Sequence, residues 1–378
     1  MKTTTQEQNL LLNSNSIDEL HGEAIALLKQ LISISSFSKD ENATADLIQN
    51  ILESKGIKTI RKMNNVWAFN NYFDGRKPTI LLNSHHDTVK PNSGYTLNPF
   101  EAIEKNGKLF GLGSNDAGGC LVSLLSTFLY FYESNSDYNF VFAASAEEEI
   151  SGKNGIELIL PELGKVDFAI VGEPTQMHLA IAEKGLMVLD CISHGVSGHA
   201  AREEGENAIY KAMKDVEWLK NYQFTKVSET LGSVKITVTA IHSGAQHNVV
   251  PDKCEFTVDV RTTDVYSNDE VLKIIKENVS CEVIPRSTRL NSSSINKGHE
   301  IVKAGLSMGR KTYGSPTTSD KALMNFPSLK LGPGDSARSH TADEFIYIHE
   351  IKEGIELYIE LLLKLTNVIP TEAEESLK

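Results

Sequence analysis

Short, almost continuously apolar runs at residues 79–83, 138–146 and 167–171 each end abruptly in polar or acidic residues. Continuous rather than alternating apolarity marks strands buried on both faces, and so predicts a central, largely parallel sheet. Shorter β-rich runs at 58–60 and 66–69 precede it. Helical spacing appears over 17–34, where Leu20, Ala24, Leu27, Leu28 and Leu31 share a face behind Ser16, a candidate N-cap. A second helix is predicted over 41–55, stopping at Gly56, and a third over 117–132, starting just past Asp116. A short helix over 152–160 should end at Pro161, and residues 90–113, with Pro91, Gly94, Pro99, Gly107, Gly111 and Gly113, read as a long loop.

The texture changes between about 180 and 285. Strand patterns at 186–193, 233–241 and 254–260 are interleaved with amphipathic helices at 207–221 and 268–278, and a last strand is predicted near 282–284. That order, β-α-β-β-α-β, is the ferredoxin-like pattern of a small separate domain. No acidic strand end falls inside it, and a lone His340 lies beyond it, so an insertion is expected. Residues 179–288 form the inserted domain, and residues 1–178 and 289–378 form the main one, with 291–294 as the return linker. A helix-like segment at 298–309, a turn at 320–325 and a long helix at 347–365 complete the main domain, and 370–378 reads as a frayed tail. The expected fold class is α/β, a mostly parallel sheet flanked by helices, with an inserted α+β domain.

The chemistry-bearing residues collect at the ends of the apolar runs. Residues 81–89 read Leu-Leu-Asn-Ser-His-His-Asp-Thr-Val, which places His85, His86 and Asp87 at the C-terminal edge of a buried strand, where open α/β sheets carry their sites. Asp116 follows Gly111-Leu112-Gly113, Glu147-Glu148-Glu149 follow 140–146, Glu173 follows 168–172, and His340 stands in 339–344. Taken singly, a strand-end histidine is more often structural and three consecutive glutamates a solvated turn. Their joint position makes one metal site the better reading. Three carboxylates and two imidazoles suit Zn²⁺ or Co²⁺ rather than Ca²⁺ or Mg²⁺. One histidine and one terminal carboxylate per ion with a shared carboxylate would use all five in a two-metal hydrolytic site, where the ions acidify a water and polarise a carbonyl. A glutamate next to a ligand glutamate could carry the proton.

Charge and composition narrow the partners. With 378 residues, 40% hydrophobic and 23% charged, the chain is an ordinary globular one, long enough for two domains. A net charge of −13 excludes a basic field for nucleic acid. Residues 1–8 lack the apolar core of a signal peptide and no run reaches about 18 apolar residues, so a cytoplasmic protein away from membranes is expected. Cys120, Cys191, Cys254 and Cys281 are scattered and read as reduced structural thiols.

Lined up in order, the motifs resemble those of the di-zinc deacylases and metallopeptidases that include acetylornithine deacetylase and succinyl-diaminopimelate desuccinylase. Residues 84–89 resemble their GHxDTV, 111–119 their GxGxxDxxGG, 146–149 their (A/T)DEE, 171–175 their GEPT and 340–344 their HxxDE. The resemblance implies a di-zinc exopeptidase-like fold with a lid and dimerisation domain. It implies two Zn²⁺ per subunit, with Co²⁺ as a substitute: His85 and Glu173 on one, Glu149 and His340 on the other, Asp116 bridging. Asp87 would orient His85 and Glu148 would be the general acid/base. Glu147 stands where the family has Asp, Ala117-Gly118 where Met-Lys is commoner, and the HxD spacing selects His85 over His86. In the inserted domain, 197–200 resemble the GHxA element, whose His199 would reach the partner's site in a homodimer and stabilise an oxyanion. Asn248, Arg261 and Ser319 would bind substrate; a capping role for His199 and an ordinary ion pair for Arg261 are the alternatives, and His247 and Lys184 are further candidates. The implied activity is removal of an acetyl or succinyl group from an N-acyl amino acid such as ornithine or citrulline, in arginine biosynthesis. Succinyl-diaminopimelate hydrolysis, and a dipeptidase or aminopeptidase using Glu147 to hold a free amine, are the rival enzymes. A non-catalytic metal-binding relative is the rival from another class.

Overall fold

The computed structural model describes residues 16–366. The tail expected at 370–378 and the N-terminal residues 1–8 lie outside the described residues. The chain forms two compact units. The first comprises residues up to Ile181, Ile295–Tyr313 and Ser319 onward, and the second Ala182–Ser294 with Gly314–Thr318.

In chain order the first unit begins with α1 (Ser16–Ile32), α2 (Asn42–Ser54), β1 (Thr59–Lys62), β2 (Asn65–Phe69) and β3 (Thr79–His85). A hairpin of β4 (Ile103–Lys105) and β5 (Lys108–Phe110) follows, then α3 (Gly119–Phe131), β6 (Asn139–Ser145), the single-turn α4 (Ile156–Ile159), β7 (Phe168–Val171) and β8 (Leu179–Glu183), where the chain passes to the second unit. The sheet order is β1-β2-β6-β3-β7, then a later strand described below, then β8. β3 runs parallel to both β6 and β7, which confirms a parallel centre with antiparallel edges.

Strand alternation divides the core cleanly. Ile80, Leu82, Phe140, Phe142, Phe168 and Ile170 pack under the long helices, while Leu81, Val141, Ala143, Ala169 and Val171 face a second layer with Trp67, Ile156 and Ile159. Two expectations shift locally. The helix expected from 117 begins at Gly119, because residues 114–118 form a tight turn at Asp116, and Pro161 opens a 3₁₀ turn (Leu160–Glu162) rather than ending the structure. A proline lacks only an N–H that a first turn leaves unused, so it is welcome there.

The second unit contains β9 (Met187–His194), β10 (Gly198–His199), α5 (Ala208–Asn221), β11 (Lys235–Ser243), β12 (Val249–Val250), β13 (Lys253–Arg261), α6 (Asn268–Asn278), β14 (Glu282–Pro285) and β15 (Ser293–Ser294). Its antiparallel sheet has the order β11-β13-β9-β14, with β10 and β12 paired separately. This is the β-α-β-β-α-β arrangement read from the sequence. Its own core includes Leu189, Cys191, Ala212, Phe256, Val258, Val271 and Ile275.

The chain returns to the first unit with α7 (Glu300–Ser307), passes through β16 (Thr312–Ser315), whose last two residues fall in the second unit, and closes the first with β17 (Ser328–Lys330), β18 (Phe345–Tyr347) and α8 (Ile348–Thr366). β17 inserts between β7 and β8, parallel to β7, and β18 pairs with β5. All four cysteines are free, and among the described residues no helix is long and apolar enough to cross a membrane.

Candidate metal centre

Parallel strands end on one edge, so β3, β6 and β7 deliver their trailing residues to the same place. His85 is the last residue of β3 and pairs with Ser145, just ahead of Glu147 to Glu149; Asn83 pairs with Val171, two residues before Glu173. The Ser84 hydroxyl donates to Gly172 O at 2.8 Å, and Gly172 N donates to Asn83 O at 2.7 Å, tying the Glu173 corner to β3.

His85 is 1% exposed, and its Nε2 has no hydrogen-bond partner. Three carboxylates surround that nitrogen: Asp116 Oδ1 at 3.4 Å, Glu173 Oε1 at 3.8 Å and Glu148 Oε2 at 3.9 Å. Its Nδ1 donates to Asp87 O at 3.0 Å, which leaves Nε2 as the atom facing the carboxylates. None of these contacts is a hydrogen bond, and those to Glu173 and Glu148 are too long to be one. The separations suit atoms facing one another across an ion with bonds of about 2.0–2.2 Å. Asp116 adds the second half: its Oδ2 lies 3.7 Å from Nε2 of His340, which in turn lies 3.0 Å from Glu149 Oε2. One carboxylate thus presents each oxygen to a different imidazole, the arrangement a bridging ligand needs. Two donor triads result, His85 with Glu148 and Glu173, and His85 with Asp116 and Glu149. Because both triads share His85, the fit to a second divalent ion rests on the Glu149–His340 pair beside Asp116 Oδ2.

The protonation tendencies express the same crowding of like charge. Burial pushes Glu148 well above the carboxylate range and Glu149 upward, and raises Glu173 to about 7 against the opposing Lys330 charge. Burial alone would lower His85, but Glu148, Asp116 and Asp87 hold it well above the usual imidazole value. His340 is raised to about 9 by its bond to Glu149.

Supporting residues explain why the acids sit where they do. Asp87 accepts from the Glu148 and Glu149 N–H groups at 3.0 and 3.1 Å and from Ser38 Oγ at 2.6 Å, so it cradles the acidic turn as well as facing His85. Glu147 turns away from the cluster: its Oε1 accepts from Asn154 Nδ2 at 2.9 Å and its side chain covers Gly152, where a Cβ would meet Oε2 at 1.9 Å. The idea that Glu147 holds a free amine has no support in this geometry. His86 bonds Thr44 Oγ1 at 2.9 Å and Asn64 O at 2.8 Å, and burial lowers its pKa to about 4, so it is a neutral strut.

Sequence reading missed two groups. Lys330, 3% exposed on β17, brings Nζ within 3.7 Å of Glu173 Oε2. Asp320, also buried, accepts from Ser145 Oγ at 2.6 Å and Asn83 Nδ2 at 3.3 Å beneath the same strand ends. For Lys330 the sequence offers no local signal, because its strand carries one apolar side chain; for Asp320 the signal was its place beside Ser319, already a substrate-binding candidate.

Ser319 belongs to the first unit, where its hydroxyl accepts from Lys321 N at 3.4 Å as a cap. His199, Asn248 and Arg261 belong to the second unit. The exposed His199 accepts from Ala201 N at 3.1 Å, Asn248 O accepts from Ala200 N at 3.0 Å, and Arg261 forks onto Asp259 at 2.9 and 3.1 Å with Thr318 Oγ1 at 3.4 Å. The local cap and the ion pair weighed as alternatives for His199 and Arg261 are both present.

The description "Peptidase family M20/M25/M40" fits residues 81–364. A succinyl-diaminopimelate desuccinylase from Rickettsia bellii is 26% identical over 381 residues, covering 90% of this chain and 96% of its own. Among solved structures, an aminopeptidase from Bacillus cereus superposes with a TM-score of 0.73 at 17% identity, covering 91% of this chain and 98% of its own. A dinuclear metal-binding peptidase from Bacillus subtilis superposes with a TM-score of 0.69 at 16% identity, covering 93% and 100%. At these identities the structural likeness speaks to the fold.

Proposed function

The chain belongs to peptidase family M20/M25/M40, and from that premise we propose that it is a two-metal amidohydrolase that removes an N-acyl group from an amino acid. The observation that carries this reading is the buried His85 Nε2, without a hydrogen bond and faced by Asp116, Glu148 and Glu173, together with the split attention of Asp116 between His85 and His340. His85 and Glu173 would hold one divalent ion, Glu149 and His340 the other, and Asp116 both; the imidazole and carboxylate donors favour Zn²⁺, with Co²⁺ as a substitute. When bound, such ions supply Lewis acidity toward water and the amide carbonyl.

This chain's own residues do the rest. Glu148 takes the proton of the attacking water and returns it to the leaving nitrogen, a task suited to a carboxylate that faces His85 beside the proposed ligands. Asp87 holds that glutamate by its backbone N–H and keeps the His85 proton on Nδ1. As part of the same proposal Asn248, Arg261 and Ser319 bind substrate, and His199 stabilises the oxyanion in a homodimer formed through the inserted domain.

For the acyl group, the curated relatives support succinyl-diaminopimelate better than the acetylated ornithine or citrulline expected first. A peptidase acting on a free amine is disfavoured, because Glu147 is engaged by Asn154. The test is hydrolysis by the Zn²⁺- or Co²⁺-loaded protein of succinyl-diaminopimelate, N-succinyl and N-acetyl ornithine and citrulline, and two dipeptides, with and without chelator. Chelator-sensitive release of diaminopimelate supports the reading. Cleavage of the dipeptides alone would move the protein to the peptidases.

A further inference from the structure

His340 differs from the other proposed ligands. It sits in the loop between β17 and β18 with φ at 59°, and its side chain is 55% exposed, yet Nε2 stays 3.0 Å from Glu149. Hydrogen bonds rather than packing hold it, one of them from Asn92 Nδ2 to His340 O at 3.2 Å, and the segments on either side are fastened as well. We infer that Asn115 and Glu344 are positioning residues that lock the His340 loop onto the turn carrying Asp116, so that the bridging carboxylate and the loop imidazole move as one body.

The two clamps lie on either side of His340. Upstream, the Asn115 side chain accepts from Asp335 N at 3.0 Å and donates to Asp335 O at 3.1 Å and to Ser339 Oγ at 3.4 Å. Downstream, Glu344 is 2% exposed and its carboxylate accepts from the N–H groups of Gly113 at 3.1 Å, Asn115 at 2.8 Å and Asp116 at 2.9 Å. N–H groups at closely spaced positions form a concavity for an anion, and Gly113, at φ 74°, opens the turn that presents them. Residues 335–344 are thus pinned at both ends to residues 113–116, and Asp116 itself donates to one pin. Close approach is built in: a Cβ on Gly334 would meet Asn115 Oδ1 at 2.5 Å.

This inference rests on the reading of Asp116 and His340 as ligands, and the test separates the two. Co²⁺ is titrated into wild-type protein and into Glu344→Leu, Glu344→Gln and Asn115→Ala, reading ions bound per chain, their affinities and the visible spectrum, with thermal melting in parallel. Wild type should bind two ions. Glu344→Leu and Asn115→Ala should weaken the ion held by Glu149 and His340 by roughly 10- to 100-fold, as loss of a group behind a ligand does, and the other ion less, through Asp116 alone. Glu344→Gln keeps an oxygen for the Asn115 and Asp116 N–H groups and should recover most of the loss. Two ions at wild-type affinity in the leucine and alanine variants, even with lowered melting temperatures, would overturn the inference by reducing the clamps to stability alone. If Glu344→Leu fails to fold, Asn115→Ala carries the test. A wild-type protein that binds no Co²⁺ overturns the metal reading and this inference with it.

Discussion

Glu147, Glu148 and Glu149 are chemically identical neighbours, yet their surroundings make three different groups of them. Glu147 is tied to Asn154 and packed on Gly152, Glu148 faces His85, and Glu149 meets His340. Glu147→Gln should therefore keep its bond to Asn154 and leave activity within a few-fold of wild type, whereas Glu149→Gln should lose one bound ion; metal analysis and turnover of the two variants check this. His86 makes a similar point beside His85. Replacing it with leucine removes a buried hydrogen bond to Thr44 and a partly buried one to Asn64 O, at a cost of about 1–3 kcal/mol. Denaturant unfolding should record that loss while the number of bound ions stays the same. Without coordinates, the HxD spacing separated the two histidines, and the three glutamates were separated only by their register in the (A/T)DEE-like stretch ahead of the turn at 150–152.

At the scale of elements, the site is a consequence of parallel strands ending together. Gly172 marks how tight that edge is: a Cβ there would lie 2.7 Å from Leu124 Cδ1 and 3.0 Å from Ser84 Cβ. Gly172→Ala should displace Glu173, weaken metal binding and cost roughly 1–3 kcal/mol of stability, as overpacking does; metal titration and unfolding of the variant would show both. The strands β3, β6 and β7 were legible because burial on both faces demands continuous apolarity. β17 was not, since Ser328-Leu329-Lys330 carries one apolar side chain and is defined by its backbone ladder to β7. The hairpin of β4 and β5 escaped for a related reason: its residues are partly exposed, and its third strand, β18, arrives from more than two hundred residues later. The turn at 114–118 delayed the α3 start because Asp116 and Ala117 hold non-helical dihedrals, which helix-spaced apolarity does not reveal.

For the whole molecule, the first unit has a hydrophobic layer on each face of its sheet and the second a core of its own, and the proposed ligands all belong to the first. The β-α-β-β-α-β texture was readable because alternating strands and amphipathic helices replace the continuous runs there. Calorimetry should register metal on the first unit alone. Zn²⁺ or Co²⁺ at 100 times its Kd adds about 2.7 kcal/mol to the state that binds it, so the first unit's transition should rise by several degrees and return on chelation, while that of the second stays in place.

At the centre itself, Glu148 lies 3.9 Å from His85 Nε2 and the proposed ligand Glu173 3.8 Å, so the division of roles between them is a matter for direct measurement. The direct measurement is the metal content of Glu148→Gln alongside its hydrolysis of the wild-type substrate. Two ions per chain with turnover abolished is the predicted result and makes Glu148 the proton carrier. Loss of an ion would make it a ligand and contradict the division of roles at this site.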